Sequence, residues 1–426
     1  MFQNTCVVYA PVDTVSGYGA RSRDFVKSLI KAKPEWDVKI ISCRWGNTRT
    51  GYLLEHGESD ILSRIIPNMT YNPDVFISIT VPNEFQRLGK QLNIGVTAGI
   101  ETTICDPSWV EGLNRMDFNI VSSNHSKEVF EKSIFEVMNN QTGLVQGVMK
   151  NEKPIEVLFE GVDLSKYFST ESTFDLSQIK ESFCFLFVGH WLQGDFGHDR
   201  KNIGYTIKAF LETFKNKKNP PALILKTQRA TSSIMDRDYI LDRIDKIRKT
   251  VKGTLPNIYL IHGEITDEQM NMLYNHSKVK VMVNLFKGEG FGRPLLEFSV
   301  LNKPIVASSW SGPLDFLHKD FTVLVGGSLE HVHGSAVMER MLLKEAKWFR
   351  PYDNLVGESF KNVFENYKNF LTLSKRQGYY ARDNFSMEKM TSKLKDILDT
   401  RSSHMTKRVE LKLPELKGLP QLKKIV

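Results

Sequence analysis

The 426-residue sequence predicts an α/β protein of two domains, each built on a mostly parallel sheet with helices on both faces. Three observations predict it. Short apolar runs alternate with stretches of helical periodicity, the pattern of parallel strands joined by crossover helices. The series is broken once, by the polar stretch "TESTFDLSQIKES" (170–182), and then starts again. The length also exceeds the size at which one hydrophobic core usually stops growing. The reading divides the chain into a first domain over 1–170, a linker over 171–182, a second domain over 183–385 and a C-terminal segment over 386–426.

The first domain opens on "TCVVYAP" (5–11), a buried strand followed by a Gly-containing loop. In "ARSRDFVKSLIKAK" (20–33), Phe25, Val26, Leu29 and Ile30 fall at helical spacing. "WDVKIISC", "PDVFISITVP" (73–82), "LNIGVTAG" (92–99) and "DFNIVSSN" (117–124) supply the next strands, and "PIEVLFEGVDLSKYF" (154–168) closes the half. The second series runs through "FCFLFVGHW" (183–191), "PALILKTQ" (221–228), "NIYLIHGE" (257–264), "VKVMVNLF" (279–286) and "KPIVASSW" (303–310). Helices follow between them at 203–216 and 266–277; Thr266 with Gln269 three residues on forms a capping-box pattern. "MEKMTSKLKDILDT" (387–400) reads as an amphipathic helix. After it, leucines recur every third residue from Leu413 to Leu422, with Pro414 and Pro420 between them. Proline forbids a regular helix there, and the period of three suits an extended strap.

No apolar run approaches the length that spans a bilayer, and the start lacks the basic and long apolar regions of a signal peptide. The expectation is a soluble cytoplasmic protein. Cys6, Cys43, Cys105 and Cys184 are widely spaced, which argues against a disulfide framework or a zinc site. The net charge is +8, and residues 401–426 hold seven Lys or Arg against Glu410 and Glu415. Such a tail reads as a solvated or strapping segment, or as a surface for nucleic acid or anionic lipid.

The densest chemistry lies in "FKGEGFGRPLLEFSVLNKPIVASSWSG" (286–312). A helix is expected to begin near residue 293, since Pro294 suits a first turn. Free N–H groups and the helix dipole then face a loop in which Gly288, Gly290 and Gly292 allow close backbone approach. Glu297 is expected in the first turn and Glu289 on the loop. A carboxylate suits sugar hydroxyls better than phosphate, so the combination suits a nucleotide sugar. The competing reading is a tight turn with Glu297 complementing the helix dipole. Two similar α/β halves also place a ligand site in the cleft between them.

"EGFGRPLLE" resembles the E-x7-E signature of retaining GT-B glycosyltransferases of the GT4 family, a pattern found in viral as well as cellular members. Other segments match in order: "SGYGARSRDF" (16–25) resembles the N-terminal Gly-rich loop, "FEGVDLSKYF" (159–168) the segment before the linker, and "FVGHW" with "RKN" (200–202) the donor-phosphate strand and loop. "NFSMEKMTSKL" (384–394) is similar to the late helix, so the likeness covers residues 5 to 400. It implies a GT-B fold, two Rossmann-like domains facing a cleft, with a C-terminal helix and extended basic tail.

The resemblance also implies roles. Glu289 would contact donor-sugar hydroxyls and Glu297 the ribose. Gly290, Phe291 and Gly292 would offer backbone contacts, and Lys201 would stabilise the leaving nucleoside diphosphate. Gly17 and Gly19 would lie across the cleft. Where the family often has Arg, this chain has His190, with Arg200, Lys226 and Arg293 as substitutes; each cation has a solvated surface position as its alternative. Glu101, in a segment similar to that of some members, would orient the acceptor or be a loop carboxylate. His125 would likewise orient the acceptor or be a surface or capping residue, Trp109 and Trp310 read as packing residues, and "SWSGPLDFL" (309–317) as a turn near the nucleotide base. No cofactor or metal is implied. The donor would be a nucleotide sugar, a UDP-sugar first, and the acceptor DNA with hydroxymethylated bases, a glycan or a small molecule. A nucleotide-sugar epimerase and a non-catalytic nucleic-acid-binding module are the rival readings.

Overall fold

The computed structural model describes residues 4–406 apart from 140, 230 and 231. The proposed strap beyond residue 406, and with it most of the basic tail, lies outside the described residues.

Among the described residues two six-stranded sheets form, one per domain. The first contains β1 (Asn4–Ala10), β2 (Trp36–Ser42), β3 (Val75–Ile79), β4 (Leu92–Val96) and β5 (Phe118–Val121). A two-stranded hairpin, β6 (Phe135–Met138) with β7 (Val145–Met149), then precedes β8 (Ile155–Val157). The sheet order is β2-β1-β3-β4-β5-β8, every pair parallel. The second sheet contains β9 (Cys184–Val188), β10 (Ala222–Lys226), β11 (Ile258–Ile261), β12 (Val279–Asn284), β13 (Ile305–Ser308) and β14 (Val323–Val325). Its order is β11-β10-β9-β12-β13-β14, again parallel throughout. The architecture is the GT-B pairing of doubly wound sheets. Strands such as "VFISI" of β3 and "LNIGV" of β4 are buried along their whole length, because helices cover both faces.

The expected helices form close to their expected ends. Gly17–Ala32 starts on Ser16, whose hydroxyl accepts from the Gly19 N–H at 2.9 Å. Asp267–Asn275 carries both halves of the capping box between Thr266 and Gln269. The second domain adds elements that periodicity left unread. A hairpin of β15 (Gly327–His331) and β16 (Lys347–Pro351) is followed by helices Asp353–Glu365 and Tyr367–Asn384.

Helix Met387–Arg401 returns to the first domain. Thr391 contacts Ser28 at 3.1 Å, and Arg401 pairs with Glu156. Val162 and Ser386 form a bridge at the crossing. The polar segment after residue 170 is pinned by Lys278, whose ammonium donates to the Leu176 and Ile179 carbonyls. All four cysteines are free. Among the described residues no helix is long and apolar enough to cross a membrane.

Candidate donor site

The loop after β12 brings the carboxylate and the cations together. Its residues follow a strand buried to its end, so Lys287 and Glu289 are fixed at the sheet's C-terminal edge. Glu289 is 5% exposed. Its Oε1 binds the Lys201 ammonium, and its Oε2 accepts from Arg200 at 3.1 Å. Arg200 also lies 3.4 Å from Glu101 of the first domain. Burial alone would raise the Glu289 pKa, but the charges of Lys201 and Arg200 outweigh it and hold the carboxyl below its ordinary value. The Glu289 N–H is fixed in turn by the Ser311 hydroxyl at 3.0 Å, and the Gly312 N–H donates to the Glu289 carbonyl.

A second cluster lies one helical turn on. Helix Arg293–Ser299 begins after Gly292, which has φ 97°, and Pro294 is its second residue. Glu297 is therefore beyond the first turn, contrary to the sequence expectation. There it accepts from Arg293 Nε at 2.9 Å, the i,i+4 geometry, and from the Tyr274 hydroxyl at 3.4 Å. Arg293 also pairs with Asp24 and stands 4.0 Å from Glu160, both from the first domain. Glu160 in turn faces the fully buried Arg21 at 4.0 Å. Burial pushes the Glu297 pKa up to about 7, against the lowering effect of Arg293.

That shift predicts a pH dependence. An acid whose folded pKa lies above its ordinary 4.5 binds protons more readily folded than unfolded. Its contribution therefore weakens the ligand-free protein as pH rises from about 4.5 to about 7. Glu297→Gln removes this term, so its thermal midpoint falls less steeply over that interval than the wild type's. Parallel midpoint curves for the two proteins would refute the assignment.

The glycines allow close backbone approach across the domain boundary. A Cβ on Gly288 would meet the Glu101 carbonyl at 1.8 Å, and one on Gly290 the Ala98 carbonyl at 2.2 Å. Without side chains they let the two domains' backbones touch. The same Ala98 donates its N–H to Tyr18 Oη at 3.2 Å, which sets the first turn of helix Gly17–Ala32 opposite Gly290. Gly17 has open space where a side chain would be, whereas Gly19 packs against Thr14. Phe291 is buried against Phe316.

The remaining expected ligands are peripheral to the two clusters. Lys226 donates to the Gly263 carbonyl at 2.7 Å, and His190 Nδ1 donates to the Arg229 carbonyl at 2.8 Å. Burial first, then the charges of Lys201, Lys226 and Arg200, keep His190 below its ordinary pKa, so it is a neutral neighbour of the phosphate cations. Helix Arg293–Ser299 spans only 7 residues, so the cations rather than its dipole dominate the local field. The segment 309–317 contacts the Glu289 loop through Ser311 and Gly312. Trp109 is buried; Trp310 is half-buried, edge-on to His125 at 4.8 Å and stacked on Phe349.

Asp24, Glu160, Arg21 and Tyr274 went unread in the sequence. All but Tyr274 lie in segments quoted for their resemblance, yet nothing local marks a charge that will be buried. Arg49 also escaped notice. It bridges the domains to Glu264 at 2.8 Å beside a cavity of about 300 Å³, lined by Tyr52, His56, Ile265, Thr266 and Asp267 among others.

Comparison with solved structures supports the architecture. The chain is similar to a sucrose-phosphate synthase from Thermosynechococcus elongatus, at 11% identity and TM-score 0.60, covering 95% of this chain and 100% of that one. HepE of Anabaena in complex with UDP-glucose matches at 13% identity and TM-score 0.60, covering 93% and 100%. A glycosyltransferase from Rickettsia africae matches at 13% identity and TM-score 0.60, covering 95% and 100%. At these identities the likeness establishes the GT-B fold. No protein-family model matches the sequence, and no curated protein matches it significantly.

Proposed function

We propose that the chain is a retaining glycosyltransferase of GT4 type, moving a sugar from a nucleoside diphosphate sugar to an acceptor hydroxyl. The observation that carries this reading is Glu289, buried between Lys201 and Arg200 at the domain boundary, with Glu297 one turn beyond. In the reaction the diphosphate oxygens take over Lys201 and Arg200. Glu289 is then released to accept hydrogen bonds from sugar hydroxyls, and ionised Glu297 accepts from the ribose. The cavity beside Thr266 and Asp267 receives the base. The bond between the anomeric carbon and the β-phosphate oxygen breaks. The acceptor oxygen bonds the same face of that carbon, and its proton passes to the leaving phosphate. The two cations stabilise the charge that develops there. Glu101, which shares Arg200 with Glu289, orients the acceptor.

A UDP-sugar is the first choice of donor, supported by the UDP-glucose in the HepE complex. The basic C-terminus favours DNA with hydroxymethylated bases as acceptor, a base flipped into the cleft, over a glycan or small molecule. The test incubates the protein with UDP-, GDP- and ADP-sugars and measures free nucleoside diphosphate. Release from one of them, abolished in Lys201→Ala, is expected. No release from any, with or without hydroxymethylated DNA, overturns transfer; interconversion of the sugar without release identifies an epimerase.

A further inference from the structure

The net charge of this protein is confined to its end. Residues 367–426 hold fourteen Lys or Arg against six Asp or Glu, which accounts for the whole +8; residues 1–366 balance to zero. Part of that excess has a described position. On helix Tyr367–Asn384, Lys368, Lys375 and Tyr379 fall on one exposed stripe, with Arg376 beside it. Lys368 and Lys375 are seven residues apart, about 10 Å along the axis. Arg376 lies over the Phe321 ring at 5.8 Å, which brings the exposed Lys319 to the same patch. Tyr379 is 64% exposed and is backed by the Arg382 guanidinium at 4.9 Å.

Several cations on other exposed helices are neutralised in place. Lys132, Lys246, Lys249 and Lys395 each pair with a carboxylate four residues away on the same helix. Among the described residues Lys368, Lys375 and Arg376 have no carboxylate partner. The acids beside the patch are Glu365, which pairs with Lys217, Asp320, which faces His318, and Asp383.

We infer that this stripe is a docking surface for the phosphate backbone of a nucleic acid. Unpaired cations along a straight helix suit a row of phosphates, and an exposed aromatic suits a sugar or base. A lipid surface fits less well, because a membrane-lying helix needs an apolar face. Tyr379 is the only large hydrophobic of this helix among the well-exposed ones. The inference rests on charge and exposure, and it holds whether or not the cleft transfers sugar.

The test uses the full chain, a fluorescent DNA duplex of about 30 base pairs, and anisotropy read across salt from about 50 to about 200 mM. Wild-type protein binds, with affinity falling linearly on a log–log salt plot. K368E/K375E/R376E weakens binding at least about tenfold and lowers the salt slope by about three, the share of three phosphate contacts. The neutral set K368Q/K375Q/R376Q gives an intermediate loss. Reversing the paired lysines instead, K132E/K246E/K249E, leaves affinity unchanged. Unaltered thermal midpoints certify the fold. Equal duplex affinity in the wild type and the first variant overturns the inference, as does absence of wild-type binding. So does a loss confined to phosphatidylserine vesicles. Release of nucleoside diphosphate in the absence of DNA is unchanged in all of these variants, so failure here leaves the transferase reading standing.

Discussion

Glu289→Gln lowers nucleotide-sugar turnover about 100- to 1,000-fold, the scale of removing one preorganised polar group from a transition state. The same change leaves UDP binding intact or makes it tighter. The reason is the double duty of the carboxylate. In the ligand-free protein it occupies Lys201 and Arg200, and it is held ionised by them. An incoming diphosphate must displace it. The amide keeps the shape of the side chain but competes weakly for the two cations. Turnover assays with titration of UDP separate the effects. Unchanged turnover, or UDP affinity that falls, would refute the assignment, because a merely structural Glu289 could not strengthen nucleotide binding when neutralised.

Arg293→Met is the second large effect, and it acts on stability. The guanidinium serves Glu297 on its own helix and Asp24 and Glu160 on the other domain. Burial works against its charge, but those three carboxylates more than compensate, and its pKa lies well above the ordinary value. Removing it leaves partly buried carboxylates facing one another with Arg21 as the remaining cation. Breaking one member of such a network typically costs about 3–5 kcal/mol. Urea unfolding with two domain-specific probes checks this; a loss under about 1 kcal/mol would mean that solvent already carries the network. Arg293→Lys recovers part of the loss, since it keeps the charge but not the fork that reaches three partners.

Much of this was legible before any coordinates. Parallel strands are continuous apolar runs, so β1, β3, β4, β9, β10 and β12 were read within two or three residues of their ends. Glu289 and Glu297 stand within one segment whose spacing carries the resemblance, whereas Lys201 and Arg200 entered only through the resemblance of "RKN". What escaped was long-range. The partnership of Arg293 with Asp24 spans 269 residues, and no local period encodes it. The packing of Gly288 and Gly290 was equally hidden, since the carbonyls they meet belong to the other domain. Hairpin β15–β16 went unread too; β15 is mostly exposed, and β16 buries only a short run around Trp348 and Phe349, unlike the long buried runs of the sheets.

The contacts across the cleft carry one more consequence. Arg200 with Glu101, Arg293 with Asp24, Arg49 with Glu264 and the bare backbones at Gly288 and Gly290 hold the two domains against each other. A donor that binds between them enters when those contacts part. Its apparent affinity is then the intrinsic affinity diluted by the open fraction: were about 1% of molecules open, the dissociation constant would rise about a hundredfold. The donor would arrive at a rate set by the protein's own opening, saturating as concentration grows. Salt, by loosening the outer pairs, would hasten arrival even as it screens the phosphates. The same pairs that assemble the site thus act as its doorkeeper.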